Sequence, residues 1–331
     1  MILSTECGLC TSKNLHMARG THGSRRCHRS RGEELYSIDC QIMNPDNDWY
    51  GHKLALAHYC GRKSAPPVYG YIPHGWGPDL PPSDRRFSSA PLLVWNSRHL
   101  KQAEAHGIKN AVCVGAPFSY LVATLWPDGD FPEGRGTFVL PSHSAESRRV
   151  VFDSNAFARE VMATAPGPYS ASIFYQDLDS PQVGVYRSLG WRIVSFGTRG
   201  NPAFITRLAL EVARHAYVVS NRMQTGQIYA GLMRRSLRVL GPPAIPNATT
   251  ENPWNILSAP TMWPELHDLG LNPDQSRTLA EYELGWHNLE TPTNLERRLG
   301  WASTSKRLAA RAIHVALDLR LPKGARSGVV N

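Results

Sequence analysis

The chain is predicted to be an α/β protein of two domains, the second built on a parallel sheet of at least five strands. Three observations predict this. From residue 136 to residue 240, short apolar runs alternate with amphipathic helical stretches. Strands that alternate with helices pair in parallel, because each crossover is right-handed and covers a face. The 331 residues exceed one ordinary compact domain and suit two. Between the halves, Pro127-Asp128-Gly129-Asp130-Phe131-Pro132-Glu133-Gly134 concentrates Gly, Pro and acid as a linker does.

Residues 1–36 are rich in Ser, Thr, Gly and Arg, lack apolar periodicity, and are expected to be a disordered basic tail. Cys7, Cys10, Cys27 and His28 offer four zinc ligands, but their spacing matches no standard finger, and a floppy tail is the preferred reading. The first domain is expected over 37–134. A helix is expected from Trp49 to Tyr59, strands at Val68–Ile72, Leu92–Trp95 and Ala111–Val114, and a helix from Ser97 to His106. Gly115-Ala116-Pro117 then closes the last of these strands.

The second domain is expected over 135–260. Thr137–Leu140 opens it as a strand, and a helix carries Val150, Val151, Phe157 and Val161. Strands follow at Ala171–Tyr175, Trp191–Phe196, Tyr217–Val219 and Leu237–Leu240. Phe204, Ile205, Leu208 and Val212 stripe a helix. Tyr217–Val219 runs into a further helix, with Ser220 and Asn221 at the N-cap position and Thr225 in the first turns. A helix start behind a parallel strand exposes unpaired N–H groups and a partial positive charge, and so seats a phosphate. An ordinary capped helix is the competing reading. Residues 261–331 are expected to be helices that pack back, ending in a Thr304–Leu321 helix with a basic face.

Ligands of such sheets bind at the carboxyl ends of the strands. The loops 141–147, 176–180, 197–202 and 220–225 meet there and carry His143, Ser144, Asp177, Arg199, Ser220 and Thr225. Asp177 and Asp179 have D-x-D spacing, which can hold a divalent metal, but Asp179 also suits the cap of the next helix. The phosphate-loop, dinucleotide, zinc-protease and nucleophile-elbow motifs are absent.

Composition narrows the function. With 42% hydrophobic residues a sizeable core can be buried. No apolar run reaches the length of a membrane span, and the first residues lack the core of a signal peptide. Six irregularly spaced cysteines fit a reduced, cytoplasmic protein. The net charge is +9, of which residues 1–31 and 306–326 carry +5 each, so the body sits near −1. Basic ends on a near-neutral body argue against specific nucleic-acid binding and suit weak contact with an anionic membrane at its inner face, or plain solvated tails.

Several short segments resemble one family. They are Tyr50-Gly51-His52-Lys53, Tyr71-Ile72-Pro73-His74-Gly75-Trp76-Gly77, Val94-Trp95-Asn96, Val139-Leu140-Pro141-Ser142-His143-Ser144 and Gly190-Trp191-Arg192-Ile193-Val194. The last is Ser220-Asn221 with Thr225, Tyr229 and Ala230. Across residues 40–240 these resemble the two-domain GT-B glycosyltransferases, in particular enzymes that build bacterial capsule and surface polysaccharide. The likeness departs in the short first domain, the unplaced tail and the basic ends.

The resemblance implies two Rossmann-like domains facing a cleft, and transfer of a sugar from a nucleotide-activated donor to a polysaccharide, glycolipid or protein acceptor hydroxyl. It implies donor phosphate near Ser220, Asn221 and Thr225, with Ser142, His143 and Ser144 opposite, and Asp177 and Arg199 at the base or ribose. His74, on the acceptor side, is the expected general base; a turn residue bonded within its own loop is the alternative. No cofactor and no metal is expected. The alternatives kept open are a CDP-polyol phosphotransferase, for which His74 and His143 would pair, a nucleotide-sugar epimerase, and a sugar- or phosphate-binding accessory protein.

Overall fold

The computed structural model describes residues 39–40, 45–80, 90–144, 150–242, 245–246 and 259–310. The basic tail with Cys7, Cys10, Cys27 and His28, the 81–89 loop, Glu146, and the terminal helix beyond residue 310 lie outside the described residues.

In the N-terminal half, a 3-10 turn at Trp49–Gly51 leads into α1, His52–Tyr59. The expected helix start at Trp49 is displaced because Tyr50 and Gly51 both take left-handed backbone, φ 60° and 80°. Strand β1 (Leu92–Val94), helix α2 (Ser97–Ala105), strand β2 (Ala111–Cys113) and helix α3 (Pro117–Leu125) follow. β1 and β2 pair in parallel, and Tyr71 makes a single parallel bridge to Leu92. The strand expected at Val68–Ile72 thus reduces to one bridge. Asn47 takes over its hydrogen bonds, donating to Gly70 O and accepting from Ile72 N at 2.9 Å each. Helix α3 was not expected; Pro117 is its first residue, where a missing N–H costs nothing.

The second half is the larger sheet. Its elements are β3 (Thr137–Leu140), α4 (Ser154–Thr164), β4 (Tyr169–Ser172), α5 (Pro181–Ser188), β5 (Arg192–Val194), α6 (Phe204–Ala213), β6 (Tyr217–Ser220), α7 (Thr225–Leu232) and β7 (Ser236–Val239). The spatial order is β7-β6-β3-β4-β5, and every pairing is parallel. β3 is buried at all four residues, as a central parallel strand must be. Helix α6 turns Ile205, Leu208, Ala209 and Val212 to the core at the spacing of one helical face.

Three expectations here are corrected. Val150 and Val151 do not open a helix but pair antiparallel with Pro246 and Ile245; α4 starts at Ser154, where Asp153 accepts from Ala156 N. Asp179 does not cap α5; Ser180 holds that position. Ser220 and Asn221 do not cap α7. Ser220 is still in the sheet, paired with Leu140 and Val239, and the chain turns through four residues before Thr225, so Gln224 is the N-cap.

The β1–β2 pair and the five-stranded sheet are separate, but the main core is shared. Ala55, Trp95, Phe118 and Leu121 from the first half pack in one cluster with Phe138, Leu208, Ile228 and Tyr229 from the second. Phe118 stacks on Tyr229 with ring centroids 3.9 Å apart. Burying each such side chain contributes roughly 1.5–3 kcal/mol. Helix α8 (Pro273–Glu283) lies along α7, adding Leu279 and Ala280 to the same cluster, and helix α9 (Pro292–Arg298) packs Leu295 against the first half. The described residues fall in a single unit, Ile38–Asn331. No described helix is long and apolar enough to cross a membrane.

Candidate functional site

Because all five strands run the same way, their carboxyl ends share one edge. The chain starts at β3, moves outward through β4 and β5, then crosses back to β6 and β7. The strand order therefore reverses between β3 and β6, which is where parallel sheets open a ligand crevice. Leu140 and Ser220, paired in register, mark its floor.

Side chains tie the two loops together above that floor. Gln224 Nε2 donates to Leu140 O at 2.7 Å and to Ser220 Oγ at 2.6 Å. Ser142 N donates to Asn221 Oδ1 at 2.8 Å. Ser220 Oγ also accepts from Arg222 N and is fully buried, so this hydroxyl serves the loop itself. Two polar atoms are left over. Ser142 Oγ and Asn221 Nδ2 are buried, each residue 4% exposed, and neither has a hydrogen-bond partner. Each such group costs roughly 1–3 kcal/mol unless a partner arrives.

The electrostatics around this pair are positive. Desolvation lowers the Arg222 pKa to about 10, which leaves it a cation at neutral pH. Helix α7 begins four residues after Asn221 with no side-chain cap, so its first N–H groups add partial positive charge. His143 stacks toward Phe174, centroids 4.7 Å apart, and its Nδ1–H donates to Ser144 O at 2.7 Å. Burial lowers the His143 pKa; the bond to Ser144 O opposes the shift, Arg222 adds to it and Asp177 opposes it. Asp177 Oδ2 accepts from Ser144 N at 2.8 Å, so this carboxylate shapes the β3 loop. Ser144 Oγ in turn accepts from Val150 N.

The His74 loop meets the same helix start from the other half. Trp76 N donates to Thr225 Oγ1 at 2.9 Å. His74 sits edge-on to Trp49, centroids 5.0 Å apart, and the Arg199 guanidinium lies 4.1 Å over the same indole. The protein mass around His74, then the Arg199 cation, lower its pKa to about 4. The residue is exposed, and the direction of the shift leaves its ring neutral at pH 7.

The loop is clamped from behind. Glu283, fully buried, accepts from Trp76 Nε1 at 2.6 Å, from Trp263 Nε1 at 2.9 Å, and from both terminal nitrogens of Arg98 at 2.7 Å. Arg98 also donates to Pro78 O, and His99 Nε2 to Gly77 O.

Two groups of expected residues are therefore assembled. Ser142, His143, Ser144, Asp177, Ser220 and Asn221 lie in or beside the loops at the carboxyl ends of β3, β4 and β6, and His74, Arg199 and Thr225 share the facing loop contacts. Sequence reasoning passed over Arg222 and Gln224, which lie inside a loop already singled out, where a cation at a strand end was the available signal. Trp49 and Glu283 gave no motif at all. Among the described residues, no group of three His, Cys, Asp or Glu side chains is set to hold a metal. No family model matches the chain, and no curated protein matches it.

Proposed function

We propose that the protein is a nucleotide-sugar-dependent glycosyltransferase whose two α/β domains meet at this site. The observation that carries the reading is the strand-order reversal flanked by two buried, unpartnered polar atoms, Ser142 Oγ and Asn221 Nδ2, beside the Arg222 cation and the α7 N-terminus. These groups suit the donor's phosphate, which gains negative charge as the sugar leaves. In the reaction, an acceptor hydroxyl oxygen bonds to the anomeric carbon and the bond to phosphate oxygen breaks, its electron pair passing to the phosphate. His74, held neutral, takes the hydroxyl proton. Asp177 and Arg199 border the base and ribose, and the acceptor is a saccharide or glycosylated molecule.

The rival readings draw less support. A polyol phosphotransferase would pair His74 with His143, and their ring contacts are to Trp49 and Phe174. An epimerase needs a carboxylate cluster, and Asp177 is bonded to the Ser144 backbone while Asp179 is exposed. A thermal-shift panel of UDP, GDP, CMP, CDP and dTDP and their sugar conjugates tests the reading. One base series should raise the melting temperature, since a ligand that prefers the folded state stabilises it. A flat response across the panel contradicts the reading, and stabilisation without any donor hydrolysis or transfer favours the accessory binder.

A further inference from the structure

Beside the proposed phosphate seat, four aromatic residues follow one another in a chain of ring contacts where α1, the end of β1 and α7 meet. Ring centroids are 5.9 Å apart for Tyr50 and His52, 6.1 Å for His52 and Trp95, and 6.4 Å for Trp95 and Tyr229. His52, Trp95 and Tyr229 are 1%, 0% and 2% exposed. Yet His52 Nδ1, His52 Nε2, Trp95 Nε1 and Tyr229 Oη all lack a hydrogen-bond partner. Folded proteins leave few such atoms unpaired, and four on three neighbouring rings require an explanation.

The backbone is strained where this chain of contacts begins. Tyr50 is a non-glycine residue at φ 60°, in the left-handed region that favours glycine. Tyr50 N donates to Arg199 O at 2.5 Å, and Gly51 lies so close to Pro202 that a Cβ would stand 2.0 Å from its carbonyl oxygen. That turn sends His52 inward.

The atoms define the chemistry of the missing partner. Burial, and secondarily His74, lower the His52 pKa to about 3, so its ring offers one donor and one acceptor. Trp95 Nε1 only donates, and the Tyr229 hydroxyl does both. A matching group is neutral, both gives and takes hydrogen bonds, and tolerates aromatic walls. Hydroxyls on a sugar ring meet all three conditions.

We propose that the unpartnered polar atoms of His52, Trp95 and Tyr229, along the chain of rings that begins at Tyr50, are a hydroxyl receptor that engages the sugar of the donor. That the hydroxyls belong to a nucleotide sugar rests on the transferase reading; hydroxyl recognition by these atoms does not.

Trp95→Phe and Tyr229→Phe delete one polar atom each and keep the aromatic ring. Calorimetry on the full chain compares the best-stabilising nucleoside diphosphate with the same nucleotide carrying its sugar. Both variants should bind the diphosphate like wild type and the nucleotide sugar about tenfold more weakly, the loss of one hydrogen bond. Their unliganded melting temperatures should not fall. Equal nucleotide-sugar affinity in wild type and both variants overturns the proposal, and a lower unliganded melting temperature besides would make ordered water the partner. If wild type binds no nucleotide, the transferase reading fails and free glucose, N-acetylglucosamine, glycerol and ribitol decide hydroxyl recognition alone. Binding of one of them that weakens about tenfold in Tyr229→Phe sustains hydroxyl recognition. Absence of binding by all four overturns it.

Discussion

His52 carries a cost that pH exposes. In the folded chain burial holds its pKa near 3, whereas the unfolded chain takes up a proton near the ordinary histidine value of about 6.5. The group's folded pKa is depressed, so below about pH 6.5 the unfolded state binds more protons and stability declines as pH falls toward 3. Integrated over that window, the loss is on the order of 4 kcal/mol. Denaturant titrations between pH 7 and pH 4 should show this slope, and His52→Leu should flatten it. The same slope in the variant would assign acid sensitivity to other groups. None of this was legible in the sequence, where His52 was one of thirteen histidines at the start of an amphipathic stretch. Its burial depends on the left-handed pair Tyr50–Gly51 and on Pro202, about 150 residues away. The exposed position of His74 was legible, because a histidine between Pro73 and Gly75 marks a turn that presents its side chain.

At the scale of elements, the Glu283 clamp links four segments: the His74 loop, helix α2 through Arg98, the turn at Trp263, and α8. Removing one partner of a buried ion pair leaves an uncompensated charge. Glu283→Ala, which strands Arg98 and two indole N–H groups, should cost about 3–5 kcal/mol in denaturant unfolding. A cost within about 0.5 kcal/mol of wild type, the range of ordinary surface changes, would deny the clamp its role. The strands of the large sheet were readable because a central parallel strand such as Thr137–Leu140 is a short apolar run bounded by turn residues. What misled was local: Pro117 looked like a terminator and is a helix start, and Ser220 looked like a cap and is the last strand residue. For Ser220 the choice between two neighbouring positions was settled by strand register, which only the pairing partners Leu140 and Val239 define.

At the scale of the molecule, the linker composition of 127–134 suggested two domains, and the largest cluster of buried side chains spans both halves. Trp95, Phe118 and Leu121 cross into the cluster of Phe138 and Tyr229. Thermal unfolding of the ordered chain should therefore be a single cooperative transition, with calorimetric and van't Hoff enthalpies in agreement. Two resolved transitions would mean that the halves unfold independently. Composition could not foresee this, because a linker and a loop that spans a shared core use the same Gly, Pro and acidic residues. The parallel sheet, by contrast, was foreseeable from alternation alone, and with it the edge on which a ligand site would open.

The reversal of strand order between β3 and β6 is where that site is assigned, and the position of a bound phosphate tests it most directly. The measurement is a crystal structure with whichever nucleoside diphosphate stabilises the protein most. A phosphate oxygen should lie within hydrogen-bonding distance of Asn221 Nδ2 and Ser142 Oγ, at the start of α7. Asn221→Asp, which keeps the acceptor for Ser142 N but turns the free donor into a repelling oxygen, should weaken that ligand at least tenfold. A diphosphate bound away from these two atoms, with unchanged affinity in Asn221→Asp, would contradict the assignment.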